Sequence, residues 1–367
     1  MKLFIDCFKL VKGEGKSVGI YNLTKNLVEN LSKLASGNGD VELCVVGNNH
    51  NKNDFELENV HFISCTKLNP LNKMHCILWE TFFGPLFFKK YHADKVLFPR
   101  GFSGIIHPVD DYIIIHDLIP FFYDEKFPDF FDKLENFYIM KRLKQSARSC
   151  TKIITISESS KNDIVKYCGV KQEKIVVINN GVNRLHFDSV PLDHKSDYIC
   201  AITSALPHKN AKGILESYKV YFDFTPKPMD LYVVGIDDTS LSGYSENLKK
   251  HVHCFKFISK DEDLHRLIAN ANLFLFLSLA EGFGFPPIEA MQLGTPVVCS
   301  NNSSLPEVCG NAAVLVNPND YQEVANAIVD LSSNYLLREE LVLKGIKNVK
   351  RFSWNVISRE YFSVLYK

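Results

Sequence analysis

Short, continuous apolar runs alternate with longer helical patterns along all 367 residues, and this alternation limits the architecture more than any other feature. Residues 3–5, 41–46, 95–98, 112–115, 152–156 and 174–178 form such runs in the first half. Residues 200–203, 231–234, 273–277 and 296–299 follow in the second. Strands this uniformly apolar are buried on both faces, as in parallel sheets joined by helical crossovers. The stretch 179–197 (NNGVNRLHFDSVPLDHKSD) is polar, aperiodic and broken by Gly and Pro, so the chain is expected to divide there. The length suits two domains better than one core.

Composition narrows the function classes. Hydrophobic content of 46% and charged content of 23% belong to a globular protein. Lys plus Arg equals Asp plus Glu at 42 each, which gives no case for a nucleic-acid partner. Ten cysteines occur without a C-x-x-C pair, most of them in apolar runs. That pattern predicts reduced, buried thiols in a cytoplasmic protein and argues against zinc. Met1-Lys2-Leu3-Phe4-Ile5-Asp6 reads as a first strand rather than a signal-peptide core. No apolar run nears the roughly 18 residues that span a bilayer. A soluble protein is expected, attached to a membrane surface at most. Lys141, Arg142, Lys144, Arg148 and Lys152 make a basic helical stretch, and Phe82, Phe83, Phe87 and Phe88 cluster upstream. Together they could meet anionic lipid; the commoner explanation is a solvated face plus core aromatics.

Residues 278–299, SLAEGFGFPPIEAMQLGTPVVC, carry the most chemistry. The order is strand, Gly-rich turn (Gly282, Gly284), helix opened by Pro286 and Pro287, then strand. Such a turn presents backbone N–H groups and the positive end of a helix dipole, which suits an anion. Glu281 and Glu289 flank it and can accept hydrogen bonds from hydroxyls. An anion with hydroxyls on both sides describes a nucleotide-diphosphate sugar. The segment resembles the signature of the GT4 family of retaining GT-B glycosyltransferases, roughly EGFGLPxLEAMAxGxPV.

Further elements carry the same resemblance. Ala205-Leu206-Pro207-His208-Lys209-Asn210 resembles the family's P-R-K-N element, with His208 in place of Arg. Thr203 stands where the family usually has Gly, and loss of the neighbouring Arg is expected to weaken phosphate binding or to shift it to Ser204 and backbone amides. His116-Asp117-Leu118-Ile119-Pro120 resembles the H-D-L-[IV]-P element of its mannosyltransferase-like branch. Asn180-Gly181-Val182-Asn183, Ser157-Glu158-Ser159-Ser160 and Phe352-Ser353-Trp354 match its N-G-V-D, S-E-x-S and F-S-W elements. Gly13-Glu14-Gly15-Lys16-Ser17 ends like a P-loop, but position 10 is Leu and the motif fails. Gly19 corresponds best to the glycine of the family's first loop. Asp261-Glu262-Asp263 reads as acids capping a helix rather than a metal motif.

The resemblance implies an α/β GT-B fold, with two Rossmann-like domains facing each other across a cleft. It implies an acceptor-binding domain over 1–183, a donor-binding domain over 184–350 and a helix over 351–367 returning to the first domain. The implied catalytic residues are Glu281, Lys209 and His116. The implied donor contacts are Gly19, Ser204, Gly282, Phe283, Gly284, Phe285 and Glu289. No cofactor or metal is expected; the donor is a nucleotide sugar, with GDP favoured over UDP, and the acceptor a glycan or lipid-linked saccharide. A glycoside hydrolase also uses two carboxylates, but retaining ones hold them about 5–5.5 Å apart. Eight helical residues would span about 12 Å, so this pair suits the two ends of a long donor. A nucleotide-sugar 2-epimerase and a catalytically silent sugar-binding paralogue remain as alternatives.

Overall fold

A computed structural model describes residues 1–13, 18–37, 39–185 and 190–366. The chain forms two compact units, Met1–Gly181 with Phe352–Lys367, and Val182–Arg351.

The first unit is built on seven parallel strands: β1 (Lys2–Asp6), β2 (Glu42–Gly47), β3 (His61–Ser64), β4 (Lys95–Phe98), β5 (Asp110–Ile115), β6 (Lys152–Thr155) and β7 (Ile175–Val177). Their order is β3-β2-β1-β4-β5-β6-β7. The order reverses at β1, whose Leu3 pairs with Leu43 on one side and Lys95 on the other. Phe4, Val96, Ile113 and Ile153 on one sheet face share a core with Trp79, Phe88, Leu143 and Ile164 from the helices above.

The second unit holds six parallel strands: β8 (Ser196–Ile202), β9 (Asp230–Val234), β10 (Val252–Phe255), β11 (Ala271–Phe276), β12 (Val297–Ser300) and β13 (Val314–Val316). They run in the order β10-β9-β8-β11-β12-β13. Every residue of β11 is buried, and Phe274 pairs with Cys200 of β8 and Val297 of β12. Both sheets are therefore doubly wound and Rossmann-like.

Strands β3, β10 and β13 are absent from the apolar runs read in the sequence. All three are sheet edges and only partly buried, so they lack the all-apolar signature of inner strands. The terminal helix Trp354–Leu365 packs on Val18–Ser36 of the first unit. Its Trp354 ring lies so close to Gly181 that a Cβ there would fall 2.3 Å away. Gly181 thus serves close approach of the ring to the backbone. The ten cysteines are all free thiols.

The basic stretch divides on folding. Arg142 is buried, donating to Ser103 O at 3.0 Å and to Gln145 Oε1 at 2.8 Å, and Phe88 is wholly buried. Phe82 and Phe83 are exposed. Residues 14–17, which hold most of the P-loop-like sequence, lie outside the described residues.

Candidate functional site

A polar constellation of the second unit forms at the carboxyl ends of β8 and β11, where open α/β sheets receive ligands. After β8 the chain makes a short turn over Pro207–Lys209 and enters helix Ala211–Phe224 through Asn210, in the left-handed region at φ 55°. Asn210 Oδ1 accepts from Gly213 N at 3.1 Å. Its amide donates to Leu277 O at 3.0 Å and Pro318 O at 3.2 Å. One side chain therefore starts the helix and ties it to the end of β11. Thr203 Oγ1 donates to Lys209 O at 2.8 Å, pinning the lysine's backbone.

Lys209 Nζ reaches Glu281 Oε1 at 2.6 Å, and Ser278 Oγ donates to the same oxygen at 2.6 Å. The side chains are 27% and 10% exposed, so the pair sits at the surface of its loops with the carboxylate on the inner side. Two serines hold the Glu281 backbone. Glu281 N donates to Ser303 Oγ at 3.0 Å, and Ser304 Oγ lies 3.0 Å from Glu281 O and 2.9 Å from Phe283 O.

Helix Phe285–Gln292 follows, with Gly284 as its N-cap at φ 108°. A Cβ at Gly284 would also fall 2.6 Å from Leu305 Cδ2, so only glycine suits this turn. Pro286 and Pro287 carry no N–H. Backbone donors to an anion here would come from Gly282, Gly284 and Phe285, aided by the helix dipole. Phe283 is buried, with its ring 5.2 Å from that of Phe285. Glu289, further along the helix, has its pKa raised by burial and by the neighbouring Asp261 carboxylate. Asp261 opens helix Asp261–Asn270. The N-cap is Lys260, so the three acids act on the helix dipole from the first turn instead of capping it. Among the described residues no group of three or more His, Cys, Asp or Glu could hold a metal ion.

His208 is buried, and its carbonyl accepts from Leu279 N at 2.7 Å. Burial, helped by Lys209, lowers its pKa to about 4. The residue standing where the family has Arg is therefore neutral and adds no charge. Ser204 is half-buried, and its Oγ accepts from Leu206 N at 3.3 Å.

His116 and Gly19 belong to the first unit. His116 follows β5 and its Nε2 lies 2.8 Å from Pro99 O. A carbonyl partner requires the proton on Nε2. Burial lowers the pKa, so Nδ1 is left as an acceptor. Asp117 Oδ1 accepts from Ile119 N at 3.1 Å and caps the turn. Ser157 caps helix Glu158–Cys168, and Ser160 Oγ donates to His116 O at 3.1 Å. Gly19 is exposed in the first turn of Val18–Ser36, and beyond its own helix no atom of the described residues comes within 4 Å of where its Cβ would stand.

The structure also assembles groups the sequence reading did not single out. Ser278, Ser303 and Ser304 are among them, since a serine far along the chain carries no local signal. In the first unit Asp6, ending β1, accepts from Trp79 Nε1 at 3.0 Å and Phe8 N at 3.0 Å, and burial raises its pKa to about 6. Lys9 Nζ meets Glu80 Oε1 at 2.5 Å, and Trp79 and Glu80 begin the π-helical turn Trp79–Phe83. An acid ending a strand, with π-helical turns frequent at functional sites, was the available clue.

Comparison with known proteins agrees with this architecture. The family model described as Glycosyl transferases group 1 matches residues 182–348, and that of Glycosyltransferase Family 4 matches residues 112–184. By fold and by these matches the chain is similar to GT-B glycosyltransferases of those families and is related to several bacterial mannosyltransferases. It is 32% identical over 227 residues to O-antigen chain mannosyltransferase RfbU of Salmonella typhimurium, covering 60% of each chain. It is 29% identical over 297 residues to O-antigen chain mannosyltransferase B of Escherichia coli, covering 74% of this chain and 77% of that one. The chain thus spans less than two thirds of the first relative's length. Among solved structures, HepE of Anabaena in complex with UDP-glucose superposes with a TM-score of 0.69 at 16% identity, covering 100% of this chain and 99% of that one. That likeness is one of fold.

Proposed function

We propose that the chain transfers a hexosyl group, mannosyl in the first place, from a nucleotide-diphosphate sugar to an acceptor hydroxyl with retention of configuration. The observation that carries this reading is the Lys209–Glu281 pair, set on adjacent strand-to-helix loops beside the Gly284 turn. In the reaction the bond from the anomeric carbon to the diphosphate breaks, and the acceptor oxygen bonds the same face of that carbon. The acceptor's proton passes to the leaving phosphate. Negative charge grows on the diphosphate, so groups aimed there in advance lower the barrier. Lys209, Ser204 and the amides of Gly282, Phe283, Gly284 and Phe285 take that role, without metal. Glu281 holds sugar hydroxyls while oriented by Lys209 and Ser278. Glu289 holds the ribose hydroxyls. In the first unit, His116 leaves Nδ1 as an acceptor for a hydroxyl.

The His116-Asp117-Leu118-Ile119-Pro120 element and the mannosyltransferase relatives favour GDP-mannose. The UDP-glucose complex of HepE keeps UDP sugars as the second reading. O-antigen chain relatives favour a growing polysaccharide chain as acceptor; we extend this to a lipid-linked glycan met on the cytoplasmic side of a membrane. A 2-epimerase would bind the same donor without needing an acceptor. Release of nucleoside diphosphate from GDP, UDP, ADP and dTDP sugars, measured in EDTA, tests the proposal. Release is expected, fastest from GDP-mannose and faster with acceptor. Strict dependence on added Mg²⁺ or Mn²⁺, or epimerised nucleotide sugar as the product, would overturn it.

A further inference from the structure

We propose that the second unit carries a groove for a neutral oligosaccharide along the free edge of its sheet, at strand β10. Among the described residues β10 (Val252–Phe255) ends the strand order, with β9 on one side and no strand on the other. Its pairing with β9 decides which backbone groups turn outward. His251 O and Phe255 O accept from Leu231 N and Gly235 N, each at 2.8 Å. Successive residues of a strand direct their N–H and C=O to opposite sides, so Val252 and Cys254 aim theirs away from the sheet. Beside them lies a groove of about 600 Å³, lined also by Asp238, Ser242, Lys249, His253 and Phe255. Small-ligand sites occupy about 300–1,000 Å³. Strand β9 stands between this groove and the β8 and β11 loops that hold Lys209 and Glu281, so the two sites are separate.

The rings that line the groove are fixed from behind. Phe255 lies parallel to Tyr232 of β9, at 18° with centroids 6.0 Å apart, and the His253 ring stands 4.5 Å from the same tyrosine. Tyr198 of β8 backs Tyr232 in turn at 4.4 Å, and its hydroxyl donates to Leu267 O at 2.6 Å. His253 and Phe255 are half-buried, so each keeps part of its ring open to the groove. Rings already held in place offer apolar area at small ordering cost. A sugar suits them, because its C–H faces lie on aromatic rings while its hydroxyls, at the rim, both donate and accept.

Charge and strand length select the occupant. Asp238 and Lys249 balance each other in the lining, and Lys249 pairs with Glu246 at 2.8 Å. His253 Nε2 lies 3.1 Å from Asp230 Oδ2, whose other oxygen is 2.7 Å from His251 Nδ1. Lys256, next along the chain, stands 3.7 Å from Asp237. Charges answered in this way leave no field of one sign to draw a nucleotide or a polyanion. An extended peptide is the other guest that a free sheet edge invites. With only Val252 and Cys254 turned outward, it would gain at most about four backbone hydrogen bonds, too few to hold an added strand. Saccharide hydroxyls use the same N–H and C=O groups while the sugar faces use Phe255 and His253.

Hydrogen–deuterium exchange of the full chain, read by mass spectrometry without sugar nucleotide or turnover, tests this separately from the transfer reaction. Mannotriose and maltotriose serve as neutral probes and trigalacturonate as an anionic one. At least one neutral probe is expected to slow exchange across residues 249–256 in a saturable way, while trigalacturonate leaves it unchanged. Ser242→Trp fills the groove from an exposed position and should weaken the effect at least about tenfold with unchanged melting. Phe255→Ala should abolish it. Absence of protection by both neutral probes, equal protection by trigalacturonate, or wild-type affinity in Ser242→Trp would overturn the proposal. So would protection of the same segment that rises with protein concentration and that sugar does not displace, since the edge would then pair with a second copy.

Discussion

Lys209 and Glu281 bond each other at 2.6 Å, so their roles in the proposed transfer are coupled. Removing either should cut turnover by at least about a hundredfold, the scale of one lost preorganised transition-state contact. The double variant should be little worse than the worse single one, because each truncation already strips the other of its partner. Rates of nucleoside diphosphate release from the two single variants and the double variant provide the cycle; fully multiplicative losses would contradict it. His208 and Asp6 make predictions of opposite sign. The folded pKa of His208, about 4, lies below its ordinary 6.5, so the unfolded chain takes the proton first. Its contribution is complete above pH 6.5 and is lost as pH falls toward 4, by up to about 3 kcal/mol. His208→Gln should flatten that slope in calorimetric unfolding of the second unit. Asp6 has a folded pKa of about 6, raised above its usual 3.8. Its contribution is present below that range and lost as pH rises through 6, in the first unit.

At the scale of elements, the strand–turn–helix at 281–292 depends on Gly284, whose φ of 108° and contact with Leu305 leave no room for a side chain. Gly284→Ala should destabilise the second unit by about 1–3 kcal/mol, the cost of one strained backbone position, and should weaken nucleotide binding. Thermal unfolding with and without GDP reads both; an unshifted midpoint with full binding would show the turn tolerates a Cβ. Much of this element is legible in sequence, because glycines and prolines punctuate chains for reasons of local sterics. Inner strands are legible too, since burial on both faces makes them apolar throughout. What is not legible depends on contacts between distant segments. Nothing around Asn210 announces its bonds to Leu277 O and Pro318 O, and nothing near Arg142 says that its guanidinium faces inward to Ser103 O. Half-exposed edge strands such as β10 escape for the related reason that they bury too little to show a pattern.

For the whole molecule, the C-terminal segment belongs energetically to the first unit. Phe352, Trp354, Ile357, Tyr361 and Leu365 are all buried there. Side chains of this kind contribute about 1.5–3 kcal/mol each when fully buried, so together they rival the stability of an entire domain, about 5–15 kcal/mol. Trp354→Ala should cost the first unit about 3–5 kcal/mol. The chain's two tryptophans, Trp79 and Trp354, both lie in that unit, so the remaining Trp79 emission follows its unfolding alone. An unchanged fluorescence midpoint would contradict the assignment. The central claim is that Lys209 and the 281–289 turn hold the donor's diphosphate. Calorimetric titration of GDP and UDP, in EDTA, into wild type and Lys209→Met tests it most directly. The account predicts saturable binding to wild type and at least about tenfold weaker binding to the variant at an unaltered fold. Equal affinity for both proteins would contradict it.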